Sequence, residues 1–231
     1  MTAIPMGTSI VKKQIVAVSG LALVGFILAH LAGNFNIFLG PEWLNGYAKH
    51  LEELGPVLWL MRIGLLAAAI VHITFTVLVT IENRRSRGVA YAVAGSRGGT
   101  TFAKKTMILS GLMVLSFLFL HLSDFTFADK HGSASIVAGA NGGESLGLYG
   151  IVWNAFLNPL RVVVYIFAVC CLGLHLSHAI QSCTQSLGLS DEPVLQRVTF
   201  ASRVIGALAA LSYASIPVYV IVRHFTVGIG V

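Results

Sequence analysis

Four histidines stand deep in apolar stretches of this 231-residue chain: His30, His72, His121 and His175. Two of them occupy matched places. Lys13, Ser19-Gly20-Leu21, Phe26 and His30-Leu31 recur, with every spacing kept, as Lys104, Ser110-Gly111-Leu112, Phe117 and His121-Leu122. An ionisable side chain inside an apolar span is costly and points to function. Two neutral imidazoles on facing helices at one depth suit axial ligation of a six-coordinate haem, because they reach the iron from both sides and bury no uncompensated charge.

The elements that must position them are membrane spans. The chain is 56% hydrophobic and 10% charged, with mean hydropathy +0.83, whereas soluble domains carry roughly 25% charged residues. Five runs reach the length of about 20 apolar residues that crosses the hydrocarbon, at 14–39, 57–81, 105–127, 160–186 and 200–222. The stretch 128–158 reads as a loop with a short interfacial helix near 146–156, since its glycine-rich first half argues against a sixth span. The N-terminal apolar run, of about 25 residues, is too long for the apolar core of a signal peptide and contains His30, so it reads as a retained span. The net charge of +6 is a topology signal and no nucleic-acid footprint. Cys170, Cys171 and Cys183 form no Cys-x-x-Cys-His, which excludes covalent haem attachment, and suggest no disulfide framework.

Loop charge sets the expected orientation. Arg84, Arg85, Arg87, Arg97, Lys104 and Lys105 crowd the loop between the second and third spans, against Glu82 alone. Glu42, Glu52 and Glu53 outweigh Lys49 in the first loop, and Asp124, Asp129 and Glu144 outweigh Lys130 in the third. The positive-inside rule then places the N-terminus in the cytoplasm and the C-terminus outside. At about 1.5 Å per residue, His30 and His121 lie about 25 Å beyond their lysines, in the outer half. His72 lies about 15 Å before Glu82, and His175 at mid to inner depth. The reading is an outer pair, His30 with His121, and an inner pair, His72 with His175.

A single membrane histidine often serves as an interhelical hydrogen-bond partner. Four that pair by depth, on a topology derived from loop charge, favour a shared purpose. Ser19 and Ser110 stand eleven residues, close to three turns, before their histidines and so on the same face, in reach to donate a hydrogen bond near a cofactor. Gly20 and Gly111 would let a flat macrocycle approach the backbone, although ordinary helix packing explains both the serines and the glycines more simply. His50, His131 and His224 fall outside the spans. The fifth span carries no histidine and reads as structural, with Pro217 as a kink.

These residues resemble the five-helix, two-haem cytochrome b membrane anchor of bacterial succinate:quinone oxidoreductases, over nearly the whole chain. The resemblance rests on one histidine in each of the first four spans and on the Ser-Gly…His-Leu pattern. Gly33-Asn34, the run Leu58-Trp59…Arg62…His72, and His175…Ser186-Leu187-Gly188 add to it. It implies an all-α integral membrane protein of five transmembrane helices, four of them forming a haem-binding bundle. It also implies two haem b groups, the distal on His30 and His121 and the proximal on His72 and His175, with His178 in a neighbouring or propionate-side role. Some fumarate reductases of the family carry a proton-transferring glutamate two residues before the fourth ligand. Gly173 stands there, so that pathway is expected to be absent.

The implied partners are cytoplasmic flavoprotein and iron–sulfur subunits on the inner face, menaquinone or another quinone near the outer surface, and the lipid of a bacterial cytoplasmic membrane. A higher oligomer of the complex is compatible with this. The chain itself would do no succinate chemistry; it would pass electrons between the iron–sulfur subunit and quinone. Glu52, Glu53, Asn45 and His50 are the candidate quinone-site residues. Two other classes stay open: a dihaem cytochrome of a nitrate reductase or hydrogenase, and a haem-free proton-coupled transporter using membrane histidines as a relay.

Overall fold

A computed structural model of the chain describes residues 8–86, 106–138, 143, 145–189 and 191–227. Arg87, Arg97, Lys104 and Lys105 of the expected cation cluster, and Glu144, lie outside the described residues. Among the described residues seven α-helices follow in order: α1 Ser9–Asn34, α2 Pro41–Glu53, α3 Pro56–Arg85, α4 Met107–His121, α5 Gly147–Leu157, α6 Pro159–Ser186 and α7 Glu192–Thr226. A 3₁₀ turn, Phe35–Leu39, extends α1, and a π-helical turn, Leu122–Thr126, extends α4. Among the described residues five helices, with those extensions, are long and apolar enough to cross a membrane: Ser9–Leu39, Pro56–Arg85, Met107–Thr126, Pro159–Ser186 and Glu192–Thr226.

Several spans outrun their apolar stretches. The first begins at Ser9 rather than 14, and the fifth covers Glu192–Thr226 rather than 200–222. Once a helix is nucleated, each further residue adds a backbone hydrogen bond whatever its polarity. Caps set the ends instead. Thr8 Oγ1 accepts from Val11 N at 3.5 Å, and Asn158 Oδ1 accepts from Leu160 N at 3.0 Å and Arg161 N at 3.3 Å. Pro41, Pro56, Pro159 and Pro193 occupy first turns, where a missing N–H costs nothing. Pro217 sits inside α7, which continues through it.

The short helix expected near 146–156 is α5. The charged first loop differs from expectation, because it folds as the amphipathic helix α2. Gly40, at φ 108°, and Gly55, at φ 53°, bracket it in backbone conformations that suit glycine.

The densest core lies at one end of the bundle. There α2, α5 and the loop before α5 close over the ends of α1 and α7 and the start of α6, burying Trp153, Tyr149, Ile37, Val137 and Val220 almost completely. Asn45 ties this cap together: its Nδ2 donates to Leu146 O at 2.9 Å and its Oδ1 accepts from Tyr149 N at 3.1 Å. At the other end, buried Lys12 of α1 pairs with Glu82 of α3, which locks the register of the two antiparallel helices.

Helix α6 is the hub. It packs most extensively on α7, and also on α1 and α4, while α1 packs on α3. Gly173 and Gly206 make the α6–α7 crossing: a Cβ at Gly173 would come 2.6 Å from the Gly206 carbonyl oxygen, and one at Gly206 2.4 Å from the Gly173 oxygen. Small residues let membrane helices approach this closely. Among the described residues, neither α1 with α4 nor α3 with α6 packs along its backbone beyond at most a marginal contact. Helix α3 buries none of its residues.

Candidate functional site

The histidines lie on two levels. The first is the level of Ser19 and Ser110, where His72 of α3 reaches across to α1. Its Nδ1 stands 3.1 Å from the Val16 carbonyl oxygen and 3.4 Å from Ser19 Oγ. The serine hydroxyl hydrogen is already given to Ile15 O at 2.7 Å, and a carbonyl oxygen can only accept. Both partners therefore assign the ring proton to Nδ1, which leaves Nε2 of the neutral imidazole with its lone pair free.

The second helix pair repeats the arrangement. His175 of α6 brings its Nδ1 to 3.2 Å from Ser110 Oγ of α4 and within hydrogen-bond reach of the Met107 carbonyl. Ser110 gives its own hydrogen to Met107 O at 3.0 Å. The glycine after each serine makes room for the ring. A Cβ at Gly20 would lie 3.0 Å from His72 Cε1, and one at Gly111 3.2 Å from His175 Cε1. Thus α1 with α3, and α4 with α6, are two copies of one device in which a Ser-Gly step seats the histidine of the next spanning helix. His72 and His175 lie within electrostatic range of each other.

Ser19 and Ser110 each meet the histidine of the next spanning helix. Their hydrogens go to their own helices and their lone pairs face His72 and His175. Gly20 and Gly111 each leave room for an imidazole. The repeat hid this because Ser-Gly and His belong to the same motif but act on different levels.

The second level lies eleven residues, about 16 Å, further along α1 and α4. Here His30 and His121 face each other with ring centroids 5.7 Å apart, edge to face. Aromatic rings enclose them: Phe26 stacks on His30 at 5.3 Å, Phe117 and Phe125 flank His121 at 5.6 and 5.3 Å, and Tyr165 and Tyr213 stand at 6.2 and 6.3 Å from His121 and His30. Tyr213 also donates to Ile27 O at 2.7 Å, which ties α7 to α1. His121 Nδ1 is buried with no hydrogen-bond partner, a state that costs about 1–3 kcal/mol. His178, one turn beyond His175, is half-buried and within electrostatic range of it.

The donor sets test what could bind. Among the described residues no three His, Cys, Asp or Glu side chains converge as a metal cage. Two imidazoles are too few for a bare zinc ion, which takes three or four protein ligands. They fit a metal whose remaining ligands come from a macrocycle. In both pairs the helices carrying the two rings stay apart along their backbones, as a flat group between them requires.

The four candidates for a quinone site separate. Asn45 is committed at both ends to the cap. Glu52 pairs with Lys130. Exposed Glu53 lies 4.0 Å from Lys49. His50 lines an open depression shared with Asn36, Glu42, Trp43, Gly46 and Tyr47. The ring of Tyr47 rests on Gly33, where a Cβ would come within 2.5 Å of the phenol oxygen, one turn beyond His30. Glu42, Trp43 and Tyr47 escaped the sequence reading because the segment passed for a loop. The spacing of Trp43, Tyr47 and His50 at i, i+4 and i+7 behind Pro41 is the signal that would have found them. No family model, curated protein or solved structure matches the chain.

Proposed function

We propose that this chain is the dihaem cytochrome b membrane anchor of a succinate:quinone oxidoreductase. The observation that carries the reading is the pairing of His30 with His121 across α1 and α4, with ring centroids 5.7 Å apart, on helices that do not pack extensively along their backbones. His30 with His121 and His72 with His175 would hold one haem b each, and the bound haem would supply one-electron transfer. The chain's own residues do the rest. Val16, Ser19, Met107 and Ser110 hold the Nδ1 protons of His72 and His175 and present Nε2, a hydrogen bond that fixes ring orientation and raises ligand basicity. The aromatic rings around His30 and His121 exclude water and lower the local dielectric, which is one way a protein sets a potential.

The orientation that loop charge supports puts the Lys12–Glu82 end in the cytoplasm of a bacterium, where flavoprotein and iron–sulfur subunits would dock. The capped end then faces outward, with the His50 depression as the place for menaquinone or another quinone to exchange protons.

The test is a dithionite-reduced minus oxidised spectrum with pyridine haemochrome quantitation on the purified complex. Two b-type haems per chain are expected, and added succinate should reduce them in membranes. His121→Ala should remove one haem and leave the His72–His175 centre. One haem in the wild type would break a pairing; none would return the chain to the transporter class.

A further inference from the structure

Beside the second level lies a polar group that the reading above does not use. Asp124 stands one turn beyond His121, inside the π-helical turn Leu122–Thr126, where Phe127 N donates to Leu122 O at 2.9 Å across five residues. Such turns are rare and occur often at functional sites. The Asp124 side chain is 5% exposed, within an apolar end of the bundle where an unpaired carboxylate would be prohibitive. Two residues of α6 satisfy it. Arg161 forms an ion pair with Oδ1, and Tyr165 Oη donates to Oδ2 at 2.9 Å. Arg161 itself is 39% exposed, at the first turn of its helix.

The same Tyr165 packs against the pair of rings. Its ring lies 6.2 Å from that of His121, 4.8 Å from Phe117 and 5.8 Å from Phe125. One tyrosine thus joins a buried carboxylate to the aromatic enclosure of His121. Asp124 lies within electrostatic range of His121. Among the described residues the first level has no such ion pair: serine hydroxyls and backbone carbonyls meet His72 and His175 there. The two levels therefore differ in electrostatics although the repeat makes their histidines alike.

We propose that Asp124, balanced by Arg161 and held by Tyr165, is a charge-setting device for the His30–His121 centre alone. The inference rests on haem occupancy of that pair. Oxidised iron carries one more positive charge than reduced iron. The carboxylate stabilises the oxidised state and lowers the potential, and the guanidinium offsets this in part. Removing each charge must then move the potential in opposite directions, whereas a purely structural latch would respond to the loss of either partner in the same way. All three residues are positioning residues, since none need touch the reacting atoms.

The test is an anaerobic spectroelectrochemical titration of the purified complex, resolving the two haems, on Asp124→Asn, Arg161→Gln and Tyr165→Phe. Asp124→Asn keeps an acceptor for Tyr165 and loses the negative charge, so the His30–His121 centre should shift upward. Arg161→Gln leaves the carboxylate uncompensated, so the same centre should shift downward. A tenfold change in the one-electron equilibrium is read as about 59 mV. The His72–His175 centre, about 16 Å away along the helices, should stay put. Arg161 is partly exposed, so Arg161→Gln keeps the proposal testable if Asp124→Asn fails to fold. Shifts of the same sign, no shift, or an equal shift at both centres overturns the proposal. Absence of haem from the wild type overturns the reading beneath it instead.

Discussion

Gly20→Ala is the most discriminating single change. The new methyl would meet His72 Cε1 at 3.0 Å, Nδ1 at 3.2 Å and Cys183 Sγ at 3.7 Å. Carbon contacts are optimal at about 3.5–4.0 Å, so the ring must retreat from α1 by about 0.5 Å or more. Its Nδ1 contacts of 3.1 Å to Val16 O and 3.4 Å to Ser19 Oγ then stretch beyond hydrogen-bonding range. Overpacking costs about 1–3 kcal/mol and a lost hydrogen bond about 1 kcal/mol, which together make about 2–4 kcal/mol. Gly111→Ala meets its nearest atom, His175 Cε1, at 3.2 Å and Nδ1 only at 3.7 Å, so its cost should be smaller, about 1–2 kcal/mol. Gly25→Ala is the internal control. A Cβ there meets nothing within 4 Å, and alanine for glycine in a helix stabilises by about 1 kcal/mol. Thermal denaturation in detergent, with haem content and the spectrum of each centre, reads all three. The expected order of stability is Gly25→Ala, wild type, Gly111→Ala, Gly20→Ala, with only the His72–His175 centre disturbed in the last two. A Gly20→Ala protein as stable as Gly25→Ala, or one that loses the His30–His121 centre instead, refutes the seating of the ring on the Ser-Gly step.

Other expectations follow from single contacts. Gly173→Ala drives a methyl into the Gly206 carbonyl, backbone against backbone, and should cost more than about 3 kcal/mol because neither atom can swing away; near-wild-type yield and melting would contradict that crossing. Gly173→Glu should fail the same way, since its Cβ meets the same carbonyl. Asn45→Ala removes both ties between α2 and α5, costs about 1–3 kcal/mol, and should speed proteolysis at Lys49 while both histidine centres survive; loss of either centre would show a wider role. The Lys130 hydrogen bond holds the Glu52 carboxyl below the usual range, with the charges of Lys130, Arg62 and His131 adding to this and burial opposing it. A depressed value in the folded state gives stability that is present above the ordinary 4.5 and lost as pH falls through the folded value beneath it. Glu52→Gln should therefore melt slightly below wild type at neutral pH, by less than about 1 kcal/mol since the pair is half-exposed, and match it in acid. A difference that grows on acidification has the wrong sign.

The spans were legible because a bilayer leaves the backbone no choice. About 20 apolar residues with few charges must satisfy their hydrogen bonds internally, and that demand is local to each segment. The repeat of Lys13–Leu31 in Lys104–Leu122 was legible for the same reason, being a matter of spacing along one chain. So was α5, an apolar stretch too short to cross. Helix α2 is less plain, because its mean polarity is that of a loop and only the spacing of Trp43, Tyr47 and His50 behind Pro41 marks the helical face beside which Leu44 enters the core. Which helix stands across from a given face is a fact of packing between residues 50 to 190 positions apart, and no local pattern encodes it. Spacing placed Ser19 with His30, yet tertiary structure gave Ser19 to His72, Ser110 to His175, Glu82 to Lys12 and Glu52 to Lys130. The sequence by itself marked five stretches long and apolar enough to cross a membrane and the places of four histidines along them. Only the tertiary structure decided what holds each ring, because a hydrogen bond needs two groups within about 3 Å, and that closeness comes from the fold.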